Sequence, residues 1–148
     1  MITRRNGLNS VLKSIDAALA LSFESVKINF VPIRNVNDDE ILDFVDLTKE
    51  KNLEVRFIEY MPFDGNRWSM EKMVSFQQLY SSIAKHYGKD MCEQMPPKTI
   101  NETAKSFRVK GHIGTVGFIS SMTNAFCSTC NRVRLTADGH LKVIKILF

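Results

Sequence analysis

The chain contains no run approaching the roughly 20 apolar residues that a membrane-spanning helix needs. Its opening, MITRRNGLNS, also lacks the apolar core of a secretory signal. Cysteine is scarce: three residues, an odd number, stand at 92, 127 and 130. That count suits a reducing compartment with a metal or redox role better than a disulfide framework. Internal repeats and low-complexity stretches are missing as well. An Arg-rich opening suggests a transit peptide, but the acids Asp16 and Glu24 and the direct run into a strand argue against one. The expectation is a soluble intracellular protein with no targeting segment and no membrane partner.

What is present is enough for a core. With 44% hydrophobic residues over 148 positions, the chain can form one globular domain or a portion of a larger one. The net charge of +4 is unevenly spread. Residues 1–84 carry 10 Lys and Arg against 12 Asp and Glu, whereas residues 85–148 carry 10 against 4. A basic C-terminal part points to an anionic partner, a phosphorylated small molecule or a nucleic acid, although such a patch is often only a solvated surface.

Apolar residues Leu8, Val11, Leu12, Ile15, Ala18 and Leu19 recur at helical spacing over 7–21. A strand follows over 25–33, stopped by Pro32 and the turn formers Asn35 and Asn37. Asp38 or Asp39 is expected to cap a second helix, and 53–61 reads as a second strand ended by Pro62. The order helix, strand, helix, strand predicts parallel strands, so this part is α/β. Ser75 is the expected cap of a helix over 75–87, closed by Gly88. Residues 91–104, with Pro96 and Pro97, read as a linker between a unit over 1–90 and a β-rich region over 105–148. Trp68 is expected to pack rather than to stack on a ligand, and Cys92 reads as an ordinary thiol.

Two polar intrusions mark the strands. Lys27 and Asn29 share one face of the first, and Arg56 interrupts the second. A cation within a sheet must meet a carboxylate or an anionic ligand, and Glu54 and Glu59 are the candidate structural partners. If the sheet belongs to a barrel, Lys27 and Arg56 face its lumen.

The densest chemistry lies in AFCSTCNRVRLTADGHLKV, 125–143. Cys127 and Cys130 have the spacing to bind one soft metal centre. After them the alternation of Arg132, Val133, Arg134 and Leu135 is a strand period, so Arg132 and Arg134 project from one face about 6.7 Å apart. Asp138-Gly139 reads as a tight turn that returns residues near 144 to the neighbourhood of 133. An iron–sulfur cluster, a zinc site and two plain buried thiols all remain open readings of the cysteines. A thioredoxin-like dithiol is disfavoured, because a strand rather than a helix follows. The arginines match successive phosphates of a triphosphate, or serve as charges on an edge strand.

TRRNGL at 3–8, VKINFVPIRNVNDDEI at 26–41, VRFIEYMPFDGNRW at 55–68, GTVGFIS at 114–120 and CSTCNRVRLTADGHLKV at 127–143 closely resemble the molybdenum cofactor biosynthesis protein A family. That family is the radical S-adenosylmethionine GTP 3′,8-cyclases of molybdopterin synthesis, which convert GTP to (8S)-3′,8-cyclo-7,8-dihydroguanosine 5′-triphosphate. The resemblance implies a portion of an incomplete (β/α) radical-SAM barrel, followed by a small β-rich region holding a second [4Fe-4S] cluster. It implies GTP binding by Lys27, Arg56, Arg132, Val133 and Arg134. It further implies S-adenosylmethionine contacts at Met61 and Asn29, and cluster ligation by Cys127 and Cys130.

For the parent enzyme the resemblance implies a lyase, possible as a homodimer, with no nucleic-acid partner. Its place would be the mitochondrial matrix in a eukaryote or the cytoplasm in a bacterium. Two departures stand out. The C-x-x-x-C-x-x-C motif of the radical-generating cluster is absent from the 148 residues, and the third ligand of the second cluster, expected fourteen positions after Cys130, is Ile144. The expectation is an internal or spliced fragment that is inactive alone. A zinc-stabilised or basic nucleic-acid-binding module is the alternative.

Overall fold

A computed structural model describes residues 6–21, 23–62, 65–88, 92–97, 102–124 and 133–143. Its framework is a mixed five-stranded sheet. Strand β1 (Val26–Phe30) lies parallel to β2 (Leu53–Ile58), and β2 lies parallel to β5 (Thr115–Ile119). Beyond β5 the direction reverses, because β4 (Lys105–Val109) and then β3 (Cys92–Gln94) pair antiparallel, giving the order β1-β2-β5-β4-β3. The α/β class expected from the sequence is present. The sheet also crosses the expected boundary: β3 forms within 91–104, and β5 inserts beside β2.

Helix α1 (Leu8–Ala20) precedes β1, α2 (Ile41–Glu50) connects β1 to β2, and α3 (Phe76–Tyr87) follows β2. The α3 cap is the one expected. Ser75 Oγ accepts from the Gln78 backbone N–H and the Gln78 side chain accepts from the Ser75 N–H, satisfying two donors at the helix start. Neither Asp38 nor Asp39 caps α2. A 3-10 turn over Asp38–Glu40 leads into it, and Asp38 instead accepts from the Asn35 N–H. Asn35 takes a left-handed backbone (φ 59°). The buried Asn37 amide accepts from the Ile33 N–H and donates to the Val31 carbonyl.

The core lies on the helix side of the sheet. Phe30, Val55, Phe57, Val116 and Phe118 are buried there with Ile41 and Val45 of α2 and Leu79 and Ile83 of α3. Phe57 stacks on Phe118 with ring centroids 5.7 Å apart and meets Phe30 edge-on at 5.6 Å. Helix α1 only half-covers its stripe: Ile15 and Leu19 pack on the core, while Leu8 and Val11 are exposed.

Gly114 marks the closest backbone approach. A Cβ there would sit 2.4 Å from the Leu53 carbonyl oxygen, which explains why a glycine opens β5. A separate hairpin, β6 (Val133–Leu135) with β7 (Leu141–Val143), pairs 133 with 143 and 135 with 141. Gly139, at φ 84°, makes its turn.

Candidate functional site

The side of the sheet turned away from the core is polar because three strands alternate in register. Lys27 lies opposite Glu54 and Asn29 opposite Arg56 across β1 and β2, and Arg56 lies opposite Gly117 of β5. Ser106 of β4 is in register with Gly117. Lys27 and Asn29 are exposed, Arg56 is half-buried and Glu54 is buried.

The two cations differ in how they are held. Lys27 Nζ stands 3.7 Å from Glu54 Oε2, an electrostatic contact longer than a hydrogen bond. Glu54 also accepts from Ser106 Oγ at 3.3 Å. Arg56 donates through Nε to Asn29 Oδ1 at 3.0 Å, and among the described residues no carboxylate lies within ion-pair distance of it. A carboxylate therefore stands within ion-pair distance of Lys27, and none stands so near Arg56 among the described residues. Gly117 keeps this face open, since a Cβ there would come within 2.7 Å of Glu54 Oε1 and 3.2 Å of Arg56 Cγ.

Glu59, the other candidate partner, is occupied elsewhere. At 1% exposure, its carboxylate accepts from the backbone N–H of Phe76, Met122 and Thr123 and from the Thr123 hydroxyl. These four donors tie the end of β2 to the start of α3 and to the chain leaving β5. The sequence reading missed this junction; an acid at an apolar strand end, in IEYM, was its signal.

Met61 is half-buried just beyond β2. Its carbonyl accepts from Asn66 Nδ2 at 2.8 Å, and the preceding carbonyl, of Tyr60, accepts from Trp68 Nε1 at 2.9 Å.

The structure thus gathers Lys27, Asn29 and Arg56 on one face. It does not join the hairpin to them: among the described residues, β6 and β7 pair only with each other. Val133 and Arg134 lie on β6, while Cys127, Cys130, Arg132 and Ile144 fall outside the described residues. The hairpin turn is closed by Thr136, whose N–H donates to the His140 carbonyl at 2.9 Å and whose hydroxyl donates to Asp138. That hydroxyl holds the Asp138 carboxyl below its ordinary range.

Among the described residues no three His, Cys, Asp or Glu side chains converge as a metal site. The cysteine pair supplies two soft donors, but Ile144 has only a hydrocarbon side chain and Cys92 belongs to the edge strand β3. Cys127 and Cys130 are the pair whose chemistry suits an iron–sulfur centre, and both lie outside the described residues. Nor is any described helix long and apolar enough to cross a membrane.

An α/β sheet with Lys27 and Arg56 on its open face defines a candidate anion-binding protein. The model of the family described as Molybdenum Cofactor Synthesis C matches residues 53–143, and the chain belongs to that family. Among its relatives is the mitochondrial GTP 3′,8-cyclase of Arabidopsis thaliana, 49% identical over 96% of this chain and 36% of that protein. Human molybdenum cofactor biosynthesis protein 1 is 46% identical over 96% of this chain and 22% of its own length. The GTP 3′,8-cyclase of Moorella thermoacetica is 45% identical over 95% and 43%. The chain thus spans less than half the length of each of these relatives.

Proposed function

We propose that this chain forms the nucleotide-binding part of a GTP 3′,8-cyclase in molybdenum cofactor biosynthesis. The observation that carries the reading is the Lys27, Asn29 and Arg56 face. Arg56 keeps its guanidinium nitrogens beyond Nε for a ligand, and Lys27 is held by Glu54 too loosely to be committed to it. Phosphate oxygens suit both groups, Arg as a planar fork and Lys as a point charge.

In this reading Arg132, Val133 and Arg134 complete the triphosphate cradle, Met61 and Asn29 contact S-adenosylmethionine, and Cys127 and Cys130 ligate a [4Fe-4S] cluster. S-adenosylmethionine would supply the radical chemistry, and the residues named here bind and orient the nucleotide. The sheet is a portion of a (β/α) barrel, with its polar face toward the lumen. The polypeptide alone does not turn over GTP, because Ile144 stands where a third thiolate is required.

Calorimetric titration with GTP tests the nucleotide site. Lys27→Ala and Arg132→Ala each weaken binding in this reading, and indifference of both variants removes it. Anaerobic reconstitution with iron and sulfide, followed by iron counting and EPR, tests the cluster. Ile144→Cys raises the iron bound per chain, whereas a full [4Fe-4S] cluster on the unaltered chain overturns the role given to Ile144.

A further inference from the structure

Where β2 ends, its backbone leaves the sheet and each carbonyl needs a new partner. The Glu59 N–H still donates to the Ile119 carbonyl at 3.2 Å, continuing the ladder by one residue. The next two carbonyls are met by side chains of a single short loop, Trp68 Nε1 on Tyr60 and Asn66 Nδ2 on Met61. The Tyr60 hydroxyl in turn lies 3.4 Å from the Asn66 carbonyl, which it reaches as a long hydrogen bond. Pro62 restricts the backbone of Met61 to extended conformations. With the Glu59 carboxylate fixed by its four donors, residues 59–61 are tied on every side while Met61 remains half-buried.

We propose that Asn66 and Trp68 are positioning residues that hold Met61 in place for an adenosyl ligand. The inference rests on the assignment of Met61 to S-adenosylmethionine made above. Two such bonds fix the orientation of the Tyr60–Met61 and Met61–Pro62 peptide planes together. The direction of the Met61 Cα–Cβ bond follows from them. Holding that direction before the ligand arrives removes an ordering cost from binding.

Equilibrium dialysis of the 148-residue chain against S-adenosylmethionine tests the proposal, with GTP affinity measured alongside. Trp68→Phe removes only the indole donor, and Asn66→Ala removes the amide. Each is expected to weaken S-adenosylmethionine binding about fivefold, the equivalent of one net hydrogen bond, and to leave GTP affinity within about twofold. Asn66→Gln, which keeps a donor, recovers part of the loss. Trp68 is the single tryptophan, so its fluorescence in the unaltered chain responds to the ligand.

If Met61→Ala weakens binding while both loop variants retain full affinity, the positioning role is overturned and the Met61 assignment stands. Equal losses for S-adenosylmethionine and GTP, with a lowered melting temperature, also overturn it, because they show a purely structural loop. If the unaltered chain does not bind S-adenosylmethionine, or Met61→Ala changes nothing, the assignment itself fails and the proposal fails with it.

Discussion

The two faces of the five-stranded sheet are built from alternate residues of the same strands, yet they obey opposite rules. On β2, Val55 and Phe57 turn into a core of stacked rings, and Glu54 and Arg56 turn to the open side. Burial of large apolar side chains, each contributing about 1.5–3 kcal/mol, makes the first face the source of stability. The second face holds the buried Glu54 carboxylate, Lys27, Arg56 and a glycine that keeps space beside them, features that add little to stability. One face holds the fold together, and the other is available for a ligand.

Substitutions on the two faces should therefore separate stability from binding. Phe57→Ala has the largest expected effect, a loss of about 3–5 kcal/mol of unfolding free energy measured by urea denaturation. On the other face, Arg56→Ala should shift the urea midpoint little and weaken GTP binding about 10- to 100-fold, the range for a lost charge-assisted hydrogen bond. A large stability loss in Arg56→Ala would break the comparison, showing that the polar face also supports the fold. Gly117→Ala should fall between these extremes. Its Cβ must displace the Glu54 carboxylate at 2.7 Å and press on Arg56 at 3.2 Å, costing about 1–2 kcal/mol and weakening GTP binding severalfold.

The smallest expected effect lies away from both faces, at His112. Its Nδ1 is 2.8 Å from Thr48 Oγ1, whose own proton goes to the Val45 carbonyl, so Nδ1 carries the hydrogen. Burial lowers the imidazole's pKa from its ordinary 6.5, Asp46 opposes that shift, and Lys49 adds to it. The unfolded chain therefore takes up the proton first. Stability is full above about pH 6.5 and declines as the pH falls below it. His112→Gln should flatten this part of a plot of melting temperature against pH.

Much of the architecture was legible in local pattern. Period-2 alternation in VKINF separated Lys27 and Asn29 from Val26, Ile28 and Phe30, and the structure keeps that division. Ser75 announced the α3 cap, and the Asp138-Gly139 dipeptide announced the hairpin, whose register of 133 with 143 falls within one residue of the pairing expected. The α2 cap was not legible, because Asp38 has a closer backbone donor at Asn35. The short β3 was also missed, since three residues between prolines and polar neighbours carry no periodicity and pair only because β4 offers an edge.

By itself the sequence determined the α/β class, the side of each strand and the residues able to bind an anion, since these follow from spacing of two or three residues along one chain. It also set Cys127 and Cys130 three positions apart, the spacing of a soft-metal pair. Only the tertiary structure decided the partners. Glu54 and Glu59 were equivalent candidates five residues apart. Strand register gave the first to Lys27, and the chain leaving β5 claimed the second through the N–H groups of Met122 and Thr123. The physical reason is distance: Met122 lies 63 residues from Glu59 along the chain, and only packing of the sheet brings them together.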